Sequence, residues 1–176
     1  MAEMDAGGVR QYLSFVLDDE LYALDIAKVR EVLEFQSVTR IPRAPEFMRG
    51  VINLRGHAVP VVDLRLKFGM QATPQTVDTC VIIVEAAMEG EGVILGALAD
   101  SVREVFELAG EDIAPPPRMG TGVRSEFIHG MSKLGERFIM ILDIDRVFSA
   151  QELTVAAASA AQDAPSARPE AALAEA

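Results

Sequence analysis

Short apolar runs alternate with polar turns along most of the chain, the pattern of strands in a mainly β fold. Tyr12 to Leu17 (YLSFVL) and Leu21 to Ile26 (LYALDI) flank Asp18-Asp19-Glu20 and read as a hairpin. Ala27 to Phe35 fits a helix face and a strand face equally. A hairpin meander lacks room for a long helix, so a helical turn at Ile26 to Lys28 followed by a strand is expected. Ser37 to Phe47 holds Pro42 and Pro45 and reads as a loop, with at most one helical turn at Pro45 to Met48. Gly50 to Leu64 (GVINLRGHAVPVVDL) is a second hairpin, in which Gly56 supplies the positive φ of the turn and Arg55 stands at the tip. Asp63 then caps a short helix that Gly69 ends. Beyond a linker at Met70 to Asp78, strands are expected at Cys80 to Glu85, Gly92 to Leu98, Ser101 to Leu108, Phe127 to Gly130 and Arg137 to Ile144. Ala109 to Glu126, with Pro115-Pro116-Pro117, has too few apolar residues to be core.

This pattern repeats. VREVLE at Val29 to Glu34 recurs as VREVFE at Val102 to Glu107, and PVVDL at Pro60 to Leu64 is mirrored by MILDI at Met140 to Ile144. Gly50 and Gly56 are echoed by Gly130 and Gly135. Each half carries about five short strands in the same order, and so few strands bury little unless they curl. The expected architecture is mainly β: two pseudo-repeated five-stranded barrels, residues 10–70 and 78–150, packed on a shared apolar face. Residues 1–9 are expected to be disordered, and residues 151–176 to form one helix and then a low-complexity tail.

Composition narrows the function. Half of the 176 residues are hydrophobic, so core material is ample, and the formal net charge is −11. Nucleic-acid binding needs a basic footprint that this chain lacks. Cys80 is the only cysteine, which excludes an internal disulfide and fits a reducing compartment. No signal peptide or membrane-spanning run is visible, so a cytoplasmic protein without membrane insertion is expected.

No catalytic constellation stands out. His57 and His129 are isolated, Cys80 lies inside an apolar strand, and Gly120-Thr121-Gly122 lacks the Lys-Ser/Thr of a phosphate loop. Asp63 and Asp143 are equivalent between the halves, and strand-end or helix-capping roles explain both. The expectation is no enzyme, no cofactor and no metal. What remains is binding. Arg55 is either a solvated turn residue or a cation held out for a partner. Glu31 interrupts an apolar strand face and is either a rim residue or an ion-pair partner for Arg55 on a neighbouring strand. The second half offers Lys133-Leu134-Gly135 where the first has its arginine.

YALDIAKVREVLEF, then TRIPRAPEFMRGVINLRGHAVPVVDLRLKFG, resembles the CheW family of chemotaxis coupling proteins, and VILGALADSVREVFEL with MILDIDRVF is similar to the second part of that family's domain. The resemblance spans about Tyr12 to Phe148. It implies two SH3-like barrels in a non-enzymatic adaptor that links the cytoplasmic tip of methyl-accepting receptors to the regulatory domain of a chemotaxis histidine kinase, in arrays at the inner face of the membrane. An alternative is a similar scaffold with a non-flagellar output such as pili or development. Carried over by position, the receptor groove comprises Val29, Glu31, Arg55, Cys80, Leu95 and Val102, and the kinase contact comprises Phe35, Ile41 and Ala44. Cys80 stands where the family has an aliphatic β-branched residue.

Overall fold

The computed structural model describes residues 8–88, 90–115 and 127–147. The chain forms β1 (Val9–Leu17), β2 (Glu20–Asp25), a 3-10 turn (Ile26–Lys28), β3 (Val29–Glu34), β4 (Met48–Leu54), β5 (His57–Asp63) and α1 (Leu64–Lys67). It continues with β6 (Cys80–Met88), β7 (Glu91–Ala99), β8 (Ser101–Ala109), a 3-10 turn (Gly110–Asp112), β9 (Ile128–Leu134), β10 (Arg137–Leu142) and α2 (Ile144–Val147). The helical turn expected before β3 is present, capped by Asp25, which accepts the N–H of Ala27. Asp63 caps α1 by accepting the N–H of Leu66. Pro45 to Met48 forms a tight turn, Met48 N donating to Pro45 O at 2.9 Å, and not a helix.

Order begins earlier than the expected start at residue 10. β1 opens at Val9, and Gly8 O accepts the N–H of Gly110, because the long partner β8 offers a ladder out to Ala109. The remainder of the expected disordered start, and the helix and tail expected at 151–176, lie outside the described residues.

The strands assemble into two five-stranded sheets, β8-β1-β2-β10-β9 and β3-β6-β7-β5-β4. This corrects the division into residues 10–70 and 78–150. The second sheet is one continuous stretch from β3 to β7, whereas the first draws β1 and β2 from one end of the chain and β8 to β10 from the other. Each half lends its first hairpin to the last three strands of the other half. Each sheet has two seams between the halves, one antiparallel (β1 on β8, β3 on β6) and one parallel (β2 on β10, β5 on β7). The cause is the short connection after each first hairpin. The turn at Ile26–Lys28 and the single residue Asp100 leave no room for the chain to fold back onto the hairpin it has just completed.

The duplication is preserved down to its irregularities. β3 bulges between Val29 and Glu31 where β8 bulges opposite Leu13 and Phe15, so both sheet edges are kinked at the arginine of Val-Arg-Glu-Val. β4 bulges between Met48 and Gly50, and β9 at the equivalent place. Bulges on edge strands disrupt the row of free backbone groups on which another chain might pair. Each sheet is also drawn toward closure, since the segment after the edge strand bridges the opposite edge: Thr39 to Val51 of β4, and Ala114 to Met131 of β9.

Three apolar clusters result. One is confined to the first sheet (Tyr12, Leu21, Ala23, Leu108, Ile139, Ile141) and one to the second (Ile52, Val59, Val61, Val81, Ile83, Leu98). The largest lies between them and takes Leu13, Phe15 and Tyr22 from one sheet and Ile82, Val84 and Leu95 from the other. β1 and β6 are therefore buried on both faces, which is why YLSFVL and TCVIIV read as near-continuous apolar runs. Polar clamps finish the junction with opposite charge in the two halves. Arg65 of α1 donates twice to Asp100, at 3.0 and 2.5 Å, while Asp145 of α2 accepts from Lys28 Nζ at 2.9 Å and from Ala87 N at 2.7 Å.

Candidate functional site

The turn joining β4 to β5 has positive φ at both central residues, 52° at Arg55 and 87° at Gly56. That is the conformation of a tight hairpin turn for which Asn-Gly is the relaxed sequence. Gly56 N donates to Asn53 Oδ1 at 2.8 Å and fixes the turn. Arginine is uncommon in this region of conformational space, so the strain at Arg55 is accepted for its guanidinium. From the tip, Arg55 Nη2 donates to Glu31 Oε1 at 2.8 Å, with the arginine side chain 68% and the glutamate 29% exposed. The pair connects the edge strand β3 to the hairpin at the opposite edge of the same sheet. The Arg55 hydrogen bond, helped by the charges of Arg55 and Arg30, outweighs a smaller desolvation effect and holds Glu31 below its ordinary value of 4.5. Glu31 raises Arg55 in return. The pair is thus charged at neutral pH, with most of the Arg55 side chain in solvent.

The other residues assigned from the resemblance divide into distinct environments. Val29 and Val102, the equivalent first residues of the two repeats, are half-buried against the core shared by the sheets. Cys80 opens β6 opposite Glu34 at the far end of β3. Its thiol donates to Asp78 O at 3.0 Å, and burial above all raises its pKa, while a backbone hydrogen bond at Val102 opposes the rise. Cys80 of the second sheet and Val102 of the first therefore meet where the two sheets adjoin, away from the Glu31–Arg55 pair.

Leu95 does not belong with them. It is 1% exposed and sits in the largest apolar cluster opposite Val84, so it supports the surface from beneath and offers no atom to a partner. β7 lies inside its sheet and faces the shared core, which buries this side chain completely. Leu95→Ala is accordingly expected to cost about 3 kcal/mol of stability through cavity formation, read as a lowered urea midpoint. Binding at temperatures where the variant is still folded should match wild type.

Phe35 packs with the cluster of the second sheet, and Ile41 and Ala44 pack partly against the shared core. Two residues that pattern reasoning passed over complete the exposed edge. Val32 and Val105 are equivalent in the repeats and lie opposite the core residues Ile82 and Leu13, yet they are 40% and 49% exposed. A valine within an alternating run reads as core. Only the edge positions of β3 and β8 leave these two uncovered.

Among the described residues there is no group of three or more His, Cys, Asp or Glu side chains able to hold a metal. A cleft of about 630 Å³ lies beside Cys80 and Val102, where Asp78, Thr79, Ser101 and Arg103 line it. Two of its other charged residues are already engaged, Asp100 with Arg65 and Arg137 with Asp19 O. Among the described residues no helix is long and apolar enough to cross a membrane.

Comparison with known proteins agrees with this picture. Residues 11–152 match the model of the CheW-like domain. The chain is 36% identical over 146 residues to the chemotaxis protein CheW of Klebsiella aerogenes, covering 83% of this chain and 86% of that protein. It is 34% identical over 147 residues to the chemotaxis protein CheW of Treponema pallidum, covering 81% and 84% respectively. The crystal structure of the scaffolding protein TtCheW from Thermoanaerobacter tengcongensis superimposes with a TM-score of 0.72 at 36% identity, covering 81% of this chain and 90% of that one. On these matches the chain belongs to the CheW family of non-enzymatic chemotaxis scaffolding adaptors.

Proposed function

We propose that the chain couples the cytoplasmic tip of methyl-accepting chemotaxis receptors to the regulatory domain of a chemotaxis histidine kinase, within cytoplasmic arrays recruited to the inner face of the membrane. The observation that carries the receptor half of this reading is the Arg55–Glu31 pair. A strained, exposed arginine is oriented at a hairpin tip, whereas the β9–β10 turn of the other half opens with Gly135. The half-buried Val29 and the exposed Val32 and Val105 provide apolar area on the edge strands β3 and β8, where a partner helix can lie across both repeats. Cys80 and Val102 extend that surface, and the loop with Phe35, Ile41 and Ala44 serves the kinase. Each contact is modest alone, and simultaneous engagement raises the effective concentration of one partner for the other. A pull-down of the purified chain with a receptor signalling domain and a chemotaxis-type kinase tests the reading. Retention of both partners in one complex is expected, and failure to retain either at micromolar protein overturns it.

A further inference from the structure

Among the described residues, four that are not glycine have positive φ: Asp18, Asp19, Arg43 and Arg55. Aspartate tolerates the left-handed region well, so the two arginines are the unusual members. Arg55 is accounted for by Glu31. Arg43, at φ 67°, is not. Its side chain is exposed and has no ion-pair or hydrogen-bond partner among the described residues, on a chain whose formal net charge is −11. The exposed Arg40, three residues earlier, is likewise without one.

The loop that presents Arg43 is held from both sides. Thr39 and Val51 exchange two backbone hydrogen bonds of 2.8 Å, and Met48 N donates to Pro45 O. Ile41 and Ala44 pack against the shared core, while Pro42 and Pro45 restrict the backbone on either side. A guanidinium projected from so constrained a loop loses little conformational freedom when it docks. The backbone strain at Arg43 has no compensating side-chain contact among the described residues, which points to a compensating contact with a partner.

We propose that Arg43, seconded by Arg40, is an electrostatic recognition residue for an acidic patch on the kinase regulatory domain, and that it sets the rate of encounter with the kinase. This rests on the coupling function above, in which the same loop serves the kinase. Positive charge at the rim of a contact acts mainly on association and on its salt dependence. Against immobilised kinase regulatory domain, the full-length Arg43→Asn variant should associate on the order of tenfold more slowly at low salt. Its dissociation rate should change little, and its association should depend less steeply on salt. Arg43→Lys should keep most of the association rate, because it keeps the charge at the same backbone strain. The thermal midpoint of Arg43→Asn should equal or exceed that of wild type, since asparagine relieves the left-handed residue.

Unchanged association and salt dependence in Arg43→Asn, with wild type binding normally, would overturn the recognition role and leave the coupling function standing. A drop in the thermal midpoint of Arg43→Asn would overturn it as well, by showing that the arginine serves the fold. If wild type itself fails to bind the kinase domain, the coupling function falls and this proposal with it.

Discussion

Arg55→Glu is expected to abolish co-sedimentation of the chain with receptor-containing membranes, while its circular dichroism spectrum and thermal midpoint stay close to wild type. The fold asks nothing of the Arg55 side chain, which is 68% exposed and makes a surface ion pair. Exposed pairs contribute little to stability. The variant places two carboxylates together at the barrel mouth, where like charges suppress a partner selected for the opposite sign. Affinity for receptor should fall on the order of a hundredfold. Arg55→Asn supplies the control, because asparagine suits a positive φ and should stabilise the turn slightly while also losing receptor. The exchange of both charges, Glu31→Arg with Arg55→Glu, then separates two roles. Recovery of binding would mean that the pair serves only to shape the groove. Continued loss would mean that the guanidinium itself meets an acceptor on the receptor, as proposed here. Retention of wild-type binding by Arg55→Glu would remove this residue from the site.

Much of this arrangement was legible in the sequence, and the parts that were not share one physical reason. Alternation of apolar and polar residues reports which face of a strand is covered, and turn residues report where the chain reverses. The hairpins, the 3-10 turn before β3, the cap at Asp63 and the repeat of Val-Arg-Glu-Val are all local features of this kind. The neighbour of a strand is a different matter. β1 pairs with β8 from Val9 against Ala109, and nothing in either segment distinguishes that partner from β3, whose sequence is nearly the same. Duplication thus revealed the number of strands and concealed their exchange. The same limit explains Leu95 and Val32. Both are aliphatic residues in short apolar strands, and only the order of strands in the sheet makes one 1% and the other 40% exposed. For Arg55 and Arg43 the informative quantity was backbone conformation, which a lone arginine in a sequence does not announce.

Closure of the second sheet is expected to depend on Gly50 more than on any other glycine. A Cβ placed there would lie 2.1 Å from Thr39 O and 2.6 Å from Val38 Cγ1, on a backbone with φ of 145°. Alanine must therefore push away the strand that bridges Thr39 to Val51, in addition to adopting a conformation L residues avoid. The two effects together cost on the order of 4 kcal/mol, measured as a fall in the urea midpoint at unchanged slope. Two companions divide that sum. Gly56→Ala carries positive φ, 87°, with nothing within 4 Å of the new methyl, so it reports conformational strain alone and should cost about 1 kcal/mol. Gly130→Ala, at the equivalent place in the other half, meets Ile113 Cγ2 at 2.5 Å and Ala114 O at 2.6 Å without the positive φ, so it reports collision alone. It should cost about 2 kcal/mol. The ordering Gly50, then Gly130, then Gly56 is the expected result. If Gly50→Ala costs no more than Gly56→Ala, the Thr39 segment yields without penalty, and the loop that carries Arg43 is not the rigid platform that its hydrogen bonds describe.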